Sequence, residues 1–305
     1  MLHFDSFAKR IVGSARIHVR VAGHGPAVLL LHGFPQTHLM WRDIAPALSQ
    51  RFTVVCADLP GYGQSGCPEP APDHAPHSKR AMASSLVEAM QALGFERYSV
   101  VGHDRGARVA YRMALDTPER ILRLAVLDAI PTLVAWERAD ARFAQSFWPW
   151  SLLAQPAPLP ERLLAAAPEA CVDDALSQWG SRGDAFPGEV RQAYVDALRD
   201  PAHVHAICEE YRAGATIDCR HDAADRERRH TIRCPVLALW SRDTALDDWY
   251  ADAGGPLGIW RRWAGDVRGE AVPGGHFFPE VQPADTADRL QAFLESDPSA
   301  GDTGN

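Results

Sequence analysis

Lysine is almost missing from this chain. Only Lys9 and Lys79 are lysines among 31 basic residues, so arginine carries the positive charge. Arginine is a rigid fork suited to carboxylates, although a coding bias toward arginine produces the same count. Acidic residues number 39, and the net charge of −8 argues against nucleic acid or an anionic membrane as the main partner. The six cysteines form no C-x-x-C pair, which leaves a metal site or a disulfide framework without support. No apolar run is long enough for a membrane span, and the start MLHFDSFAKR lacks the apolar stretch of a signal peptide. A soluble, reduced, cytoplasmic protein is expected. No internal repeat is visible.

What is present is ordinary globular material. The 305 residues are 46% hydrophobic and 23% charged, enough for a large core in one or two domains. Disorder, collagen and coiled coil are excluded as whole-chain descriptions. Two alternating segments, 7–12 and 15–22, predict antiparallel strands joined at Gly13-Ser14. Short continuous apolar runs at 27–31, 52–57, 98–102, 122–127 and 236–240 predict strands buried on both faces. Helical patterns at 40–48, 79–93 and 105–116 separate them, which implies a mostly parallel sheet with helices on both faces. From Thr132 to about Arg229 the pattern is helical, aromatic-rich and free of strands, broken by QPAPLP at 155–160. The expected organisation is an α/β core of residues 1–131 and 230–297, an inserted helical cap at 132–229 and a disordered tail at 298–305. A site between cap and core would exclude water under an aromatic roof.

The chemistry centres on SVVGHDRG, residues 99–106, which fits G-x-nucleophile-x-G with Asp104 at the nucleophile position. It follows an apolar strand and opens a helix, the context that a nucleophile elbow requires. The glycines suit a tight turn with strained backbone. An aspartate there points to attack on saturated carbon through an ester with the enzyme, whereas a capping aspartate is the plainer alternative. LHGFP at 31–35 follows another strand, so the backbone N–H of Phe34, with that of Arg105, is a candidate anion-binding donor. His32 and the turn DLPGYGQS at 58–65 read as scaffold. A base is expected late in the chain, and VPGGHFF at 272–278 supplies His276. Two acids follow strands at suitable positions, Asp128 and Asp243, and chain order permits either. Arg105 and Arg108 lie three apart and share a helix face beside Asp104, where guanidiniums would hold a carboxylate and offset its repulsion from Asp104.

These strings, together with SLLAQPAPLPE, YRAG and GGHF, resemble the haloacetate dehalogenases of the α/β-hydrolase superfamily, the fluoroacetate dehalogenase group in particular. The resemblance runs nearly the whole length. It implies an α/β-hydrolase fold and hydrolytic dehalogenation of a small haloacid, with release of halide and no cofactor or metal. It implies Asp104 as nucleophile, His276 with Asp128 as the water-activating pair, and Arg105 and Arg108 on the substrate carboxylate. Trp150 and Tyr211 would donate to the halide, and a homodimer is expected. One position departs: where the family has His before the halide-binding Trp, this chain has Pro149, which carries no donor. The nearest rival is an epoxide hydrolase, which would want two cap tyrosines; Tyr211 and Tyr194 are the candidates. A haloalkane dehalogenase resembles D-W rather than D-R at the elbow, and a non-catalytic receptor would not need an Asp104–Asp128–His276 set.

Overall fold

The structure is a computed structural model and describes residues 2–181 and 185–296. The tail expected from residue 298 lies outside the described residues. Eight strands form one sheet: β1 (Ala8–Val12), β2 (Ile17–Gly23), β3 (Ala27–Leu31), β4 (Thr53–Ala57), β5 (Tyr98–His103), β6 (Ile121–Leu127), β7 (Val236–Ser241) and β8 (Val267–Val272). Their order is β1-β2-β4-β3-β5-β6-β7-β8. β2 pairs antiparallel with β1 and β4, and every pair from β4 to β8 is parallel. This is the α/β architecture that the alternation of strand and helix patterns predicts.

Side-chain alternation on the central strands feeds two cores. Leu29, Leu31, Val55, Val100 and Val126 face one, while Val28, Leu30, Val54, Val101 and Leu127 face the other. A strand such as AVLLL must therefore be apolar at every position, which is why it reads as an unbroken run. β8 escapes that signal. Its sequence VRGEAV is half-exposed at the sheet edge, and its Gly269 is required because a Cβ there would lie 2.0 Å from the Ala238 carbonyl oxygen. The helix expected at 40–48 divides into a 3-10 turn, His38–Trp41, and a short α1, Ala45–Leu48. Pro46 causes the break, since it has no N–H to donate to the carbonyl four residues earlier.

Helices α2 (Lys79–Ala92) and α3 (Arg105–Asp116) flank β5 in sequence. Between β6 and β7 lie α4 (Thr132–Glu137), α5 (Ala141–Ser146), α6 (Trp148–Leu153), α7 (Leu159–Ala166), α8 (Pro168–Gln178), α9 (Gly188–Ala197), α10 (Pro201–Ala215) and α11 (Ile217–Glu227). Trp150, Tyr194 and Tyr211 from this helical insert join the first core. Two further helices, α12 (Ala245–Trp249) and α13 (Gly255–Trp260), separate β7 from β8, and α14 (Phe278–Val281) and α15 (Pro283–Glu295) end the described chain. The strand order reverses at β3, which has β4 on one side and β5 on the other. The carboxyl ends of parallel strands beside such a reversal form a natural crevice. His32, Asp104 and Asp128 follow directly on the ends of β3, β5 and β6 there.

The turn from β5 to α3 is closed by glycines. A Cβ on Gly106 would sit 2.4 Å from the His32 carbonyl oxygen, and one on Gly102 would sit 2.4 Å from the Gly106 carbonyl oxygen. Both obstacles are backbone, so neither can swing away. Gly106→Ala is expected to lower unfolding free energy by about 3 kcal/mol, the upper end for overpacking a filled core. Gly188→Ala, with nothing within 4 Å, should be neutral or slightly stabilising. Urea denaturation of both variants checks the contrast.

Candidate active site

Asp104 occupies the tip of the elbow with φ 47° and ψ −112°, a backbone that a non-glycine residue adopts only under constraint. Its carboxylate makes no capping bond to α3, which disposes of the capping alternative. Instead Oδ2 accepts from the Phe34 N–H at 3.1 Å. Gly33 makes that approach possible, because a Cβ there would meet the Asp104 side chain at 2.6 Å. Burial raises the carboxyl pKa, but the charges of His276, Arg105 and Arg108 outweigh it and hold the group below its usual value. Asp104 is thus ionised at neutral pH and opens onto a small cavity of about 30 Å³.

His276 stands on the loop between β8 and α14 and lines the same cavity. Its Nδ1–H donates to Asp128 Oδ2 at 2.6 Å, leaving Nε2 as the other ring nitrogen. Asp128 is itself held by the Ser241 N–H on Oδ1 at 2.7 Å and has a left-handed φ of 48°. Burial pulls the imidazole pKa down, yet the hydrogen bond and charge of Asp128, with the charge of Asp104, carry it above 6.5. The other acid, Asp243, is exposed on the turn after β7, and its backbone N–H bonds Asp247. Chain order allowed both acids; the ion pair belongs to Asp128. Beneath His276 the buried His103 ring bonds the His276 carbonyl at 2.8 Å, and burial pushes its pKa down to about 4. His32 is scaffold as expected: its Nε2 accepts from the Leu59 N–H at 3.0 Å.

The two arginines differ. Both are buried, so neither is a solvated surface charge. Arg105 Nε and Nη2 fork onto Glu210 at 3.0 and 2.7 Å, and Glu210 also pairs with Lys79, which in turn reaches Asp218. The Arg105 guanidinium lies 4.0 Å from the Tyr211 ring centroid and is not a wall of the cavity. Arg108 is a wall. Its Nη1 donates to the Ile130 carbonyl at 2.6 Å, and its guanidinium stacks 4.3 Å from the Trp150 ring. No carboxylate among the described residues comes within ion-pair distance of it. Burial and the charge of Arg105 lower its pKa. Of the two guanidiniums expected to hold a carboxylate, Arg105 is ion-paired with Glu210, whereas Arg108 has no ion pair among the described residues and has chiefly the charge of Asp104 acting to favour its protonated form.

Trp150 and Tyr211 line the cavity together with Pro149. Neither the Trp150 indole N–H nor the Tyr211 hydroxyl makes a hydrogen bond to a described residue. Tyr194 does not belong here; its hydroxyl donates to Glu280 at 2.9 Å. Sequence reasoning missed Tyr250, Leu246 and Ile130 as walls and Glu210 as the partner of Arg105. Tyr250 lies between α12 and α13 in no recognisable motif, whereas Glu210 is signalled only by its position next to Tyr211. No helix among the described residues is long and apolar enough to cross a membrane.

Comparison with known proteins agrees with this geometry. The family model for the alpha/beta hydrolase fold matches residues 26–282. A fluoroacetate dehalogenase from a Burkholderia species is 45% identical, covering 98% of this chain and 97% of that protein. A soluble epoxide hydrolase from Corynebacterium sp. (strain C12) is 28% identical, covering 93% of this chain and 95% of its own. A solved structure from Nostoc sp PCC 7120, assigned to the alpha/beta hydrolases, is 45% identical with a TM-score of 0.92, covering 96% of this chain and 100% of that one. The chain belongs to the α/β-hydrolase superfamily, within its fluoroacetate/haloacetate dehalogenase family.

Proposed function

We propose that the protein hydrolyses the carbon–halogen bond of small 2-haloacids, giving the 2-hydroxyacid and halide through an ester on Asp104. The observation that carries this reading is Arg108, a buried guanidinium on the cavity wall with no ion-paired carboxylate among the described residues. A buried cation left uncompensated is costly, and an anionic substrate supplies the missing charge. The same positive field lets a substrate carboxylate approach Asp104 without prohibitive repulsion.

In the first step an Asp104 oxygen attacks the α-carbon in line, and the carbon–halogen pair of electrons leaves with the halide. The Trp150 N–H and Tyr211 O–H are the donors available to it. In the second step His276 Nε2 takes a proton from water while the water oxygen bonds to the Asp104 carbonyl carbon. The N–H groups of Phe34 and Arg105 stabilise the oxyanion. The hydroxyacid oxygen then departs with a proton from His276, and Asp104 keeps one oxygen from water. Asp128 holds the ring in the productive tautomer.

An epoxide hydrolase remains the second reading, because Tyr250 and Tyr211 both line the cavity and two phenols could protonate an epoxide oxygen. Arg108 argues against it, since a neutral epoxide brings no charge to pair with that guanidinium. Styrene oxide should yield no diol under conditions where chloroacetate yields halide.

A single turnover of chloroacetate in heavy-oxygen water is expected to put label into Asp104, read by peptide mass; label in the product alone overturns the ester. The pKa of His276 is raised, so its neutral, basic form is lost as pH falls through a midpoint above 6.5. Asp104 stays ionised across that range. Acidic pH should therefore stop the second step before the first, with about one halide released per site in rapid-quench assays. Pro149 leaves the halide one donor short of the family pattern, worth about 1.5–3 kcal/mol, or roughly tenfold to a hundredfold in rate. Fluoride, the poorest leaving group, suffers most. Fluoroacetate turnover should fall well below that of chloroacetate, and Pro149→His should narrow the gap. Equal turnover of the two by the wild-type enzyme overturns this account of Pro149.

A further inference from the structure

The carboxylate-binding end of the cavity needs several donors. A carboxylate offers about four lone-pair sites. Arg105, expected to share this task, has spent Nε and Nη2 on Glu210, which leaves its buried Nη1 without a partner among the described residues. Arg108 has committed Nη1 to the Ile130 carbonyl. Of the remaining donors on the wall, His276 is paired with Asp128 as the base, and Trp150 and Tyr211 serve the leaving halide. One phenol is unassigned. Tyr250 is 2% exposed, lines the cavity with Arg108, and makes no hydroxyl hydrogen bond to a described residue.

Its surroundings point to the acid end. Burial raises the phenol pKa, and among neighbouring charges that of Arg108 acts on it most strongly. The group is pushed up to about 12, so at neutral pH it is only a neutral O–H donor. It comes from the segment between α12 and α13, not from the helical insert that carries Trp150 and Tyr211. The Tyr250 carbonyl accepts from the N–H groups of Ala253 at 2.9 Å and Gly255 at 2.8 Å, which pins the backbone that presents the ring.

We propose that Tyr250 completes the acid-recognition subsite with Arg108, its hydroxyl donating to the substrate carboxylate. This rests on the reading of the substrate as a small carboxylic acid. Tyr250 is a specificity residue: it tells an acid from a neutral molecule of the same shape and takes no part in bond breaking.

The test is Tyr250→Phe, which removes one oxygen atom and no hydrogen bond to a described residue. Acetate, which has the carboxylate but no halogen, is titrated by calorimetry, and bromide is tested as an inhibitor of chloroacetate turnover. Acetate should bind roughly tenfold more weakly to the variant. The chloroacetate KM should rise by a similar factor with kcat within about twofold, and bromide inhibition should not change. Unchanged acetate binding overturns the proposal, as does weaker bromide inhibition without a loss for acetate, which would assign the phenol to the halide. Calorimetry needs no turnover. If the wild type binds acetate through Tyr250 but releases no halide from chloroacetate, the dehalogenase reading fails and the acid subsite stands.

Discussion

An arginine guanidinium buried in the wall of a cavity, with no ion-paired carboxylate among the described residues, is the constraint around which this molecule is organised. Removing such a cation from water costs several kcal/mol, and only partial compensation is built in. The Ile130 carbonyl takes one N–H of Arg108 and the Trp150 face covers the rest of the plane. Arg105 makes the contrast clear. It begins the same helix, is equally buried, and is balanced by a chain of alternating charges through Glu210, Lys79 and Asp218. That chain ties α2 and α3 of the core to α10 and α11 of the insert. One arginine thus serves cohesion, and the other leaves a positive field beside the carboxylate of Asp104, itself negative.

The placement of Asp104 depends on a second constraint, close approach of backbone. Asp104 can hold a left-handed conformation because the strand before it and the helix after it are locked by packing at Gly102 and Gly106. Gly33 keeps the β3 loop near enough for the Phe34 N–H to reach the carboxylate. These glycines act together: a side chain at any of them would push apart the two loops that present the acid and its donor. On the opposite side, Asp128 is also left-handed and is held by the β7 backbone, so the His276 ring is oriented by the sheet itself.

Much of this was legible in the chain. Apolar runs such as AVLLL and the helical patterns between them implied a parallel sheet, and G-H-D-R-G after one such run marked the elbow. Gly-Gly-His in a late loop marked the histidine that pairs with Asp128. Edge strand β8 was not legible, because a strand half-exposed to water has no need of a continuous apolar run. Pro46 showed why a helical pattern alone does not make one helix.

The amino-acid order by itself determined which segments become strands, where the chain turns sharply, and which residue types stand at those turns, since these follow from local sterics and from burial on two faces. Tertiary structure alone decided which arginine is compensated, which aspartate orients the histidine, and which tyrosine reaches the cavity. The reason is distance along the chain. Glu210 lies 105 residues from the arginine it neutralises, and Asp128 lies 148 residues from His276. Charge balance in a buried site is set by partners that only folding brings together.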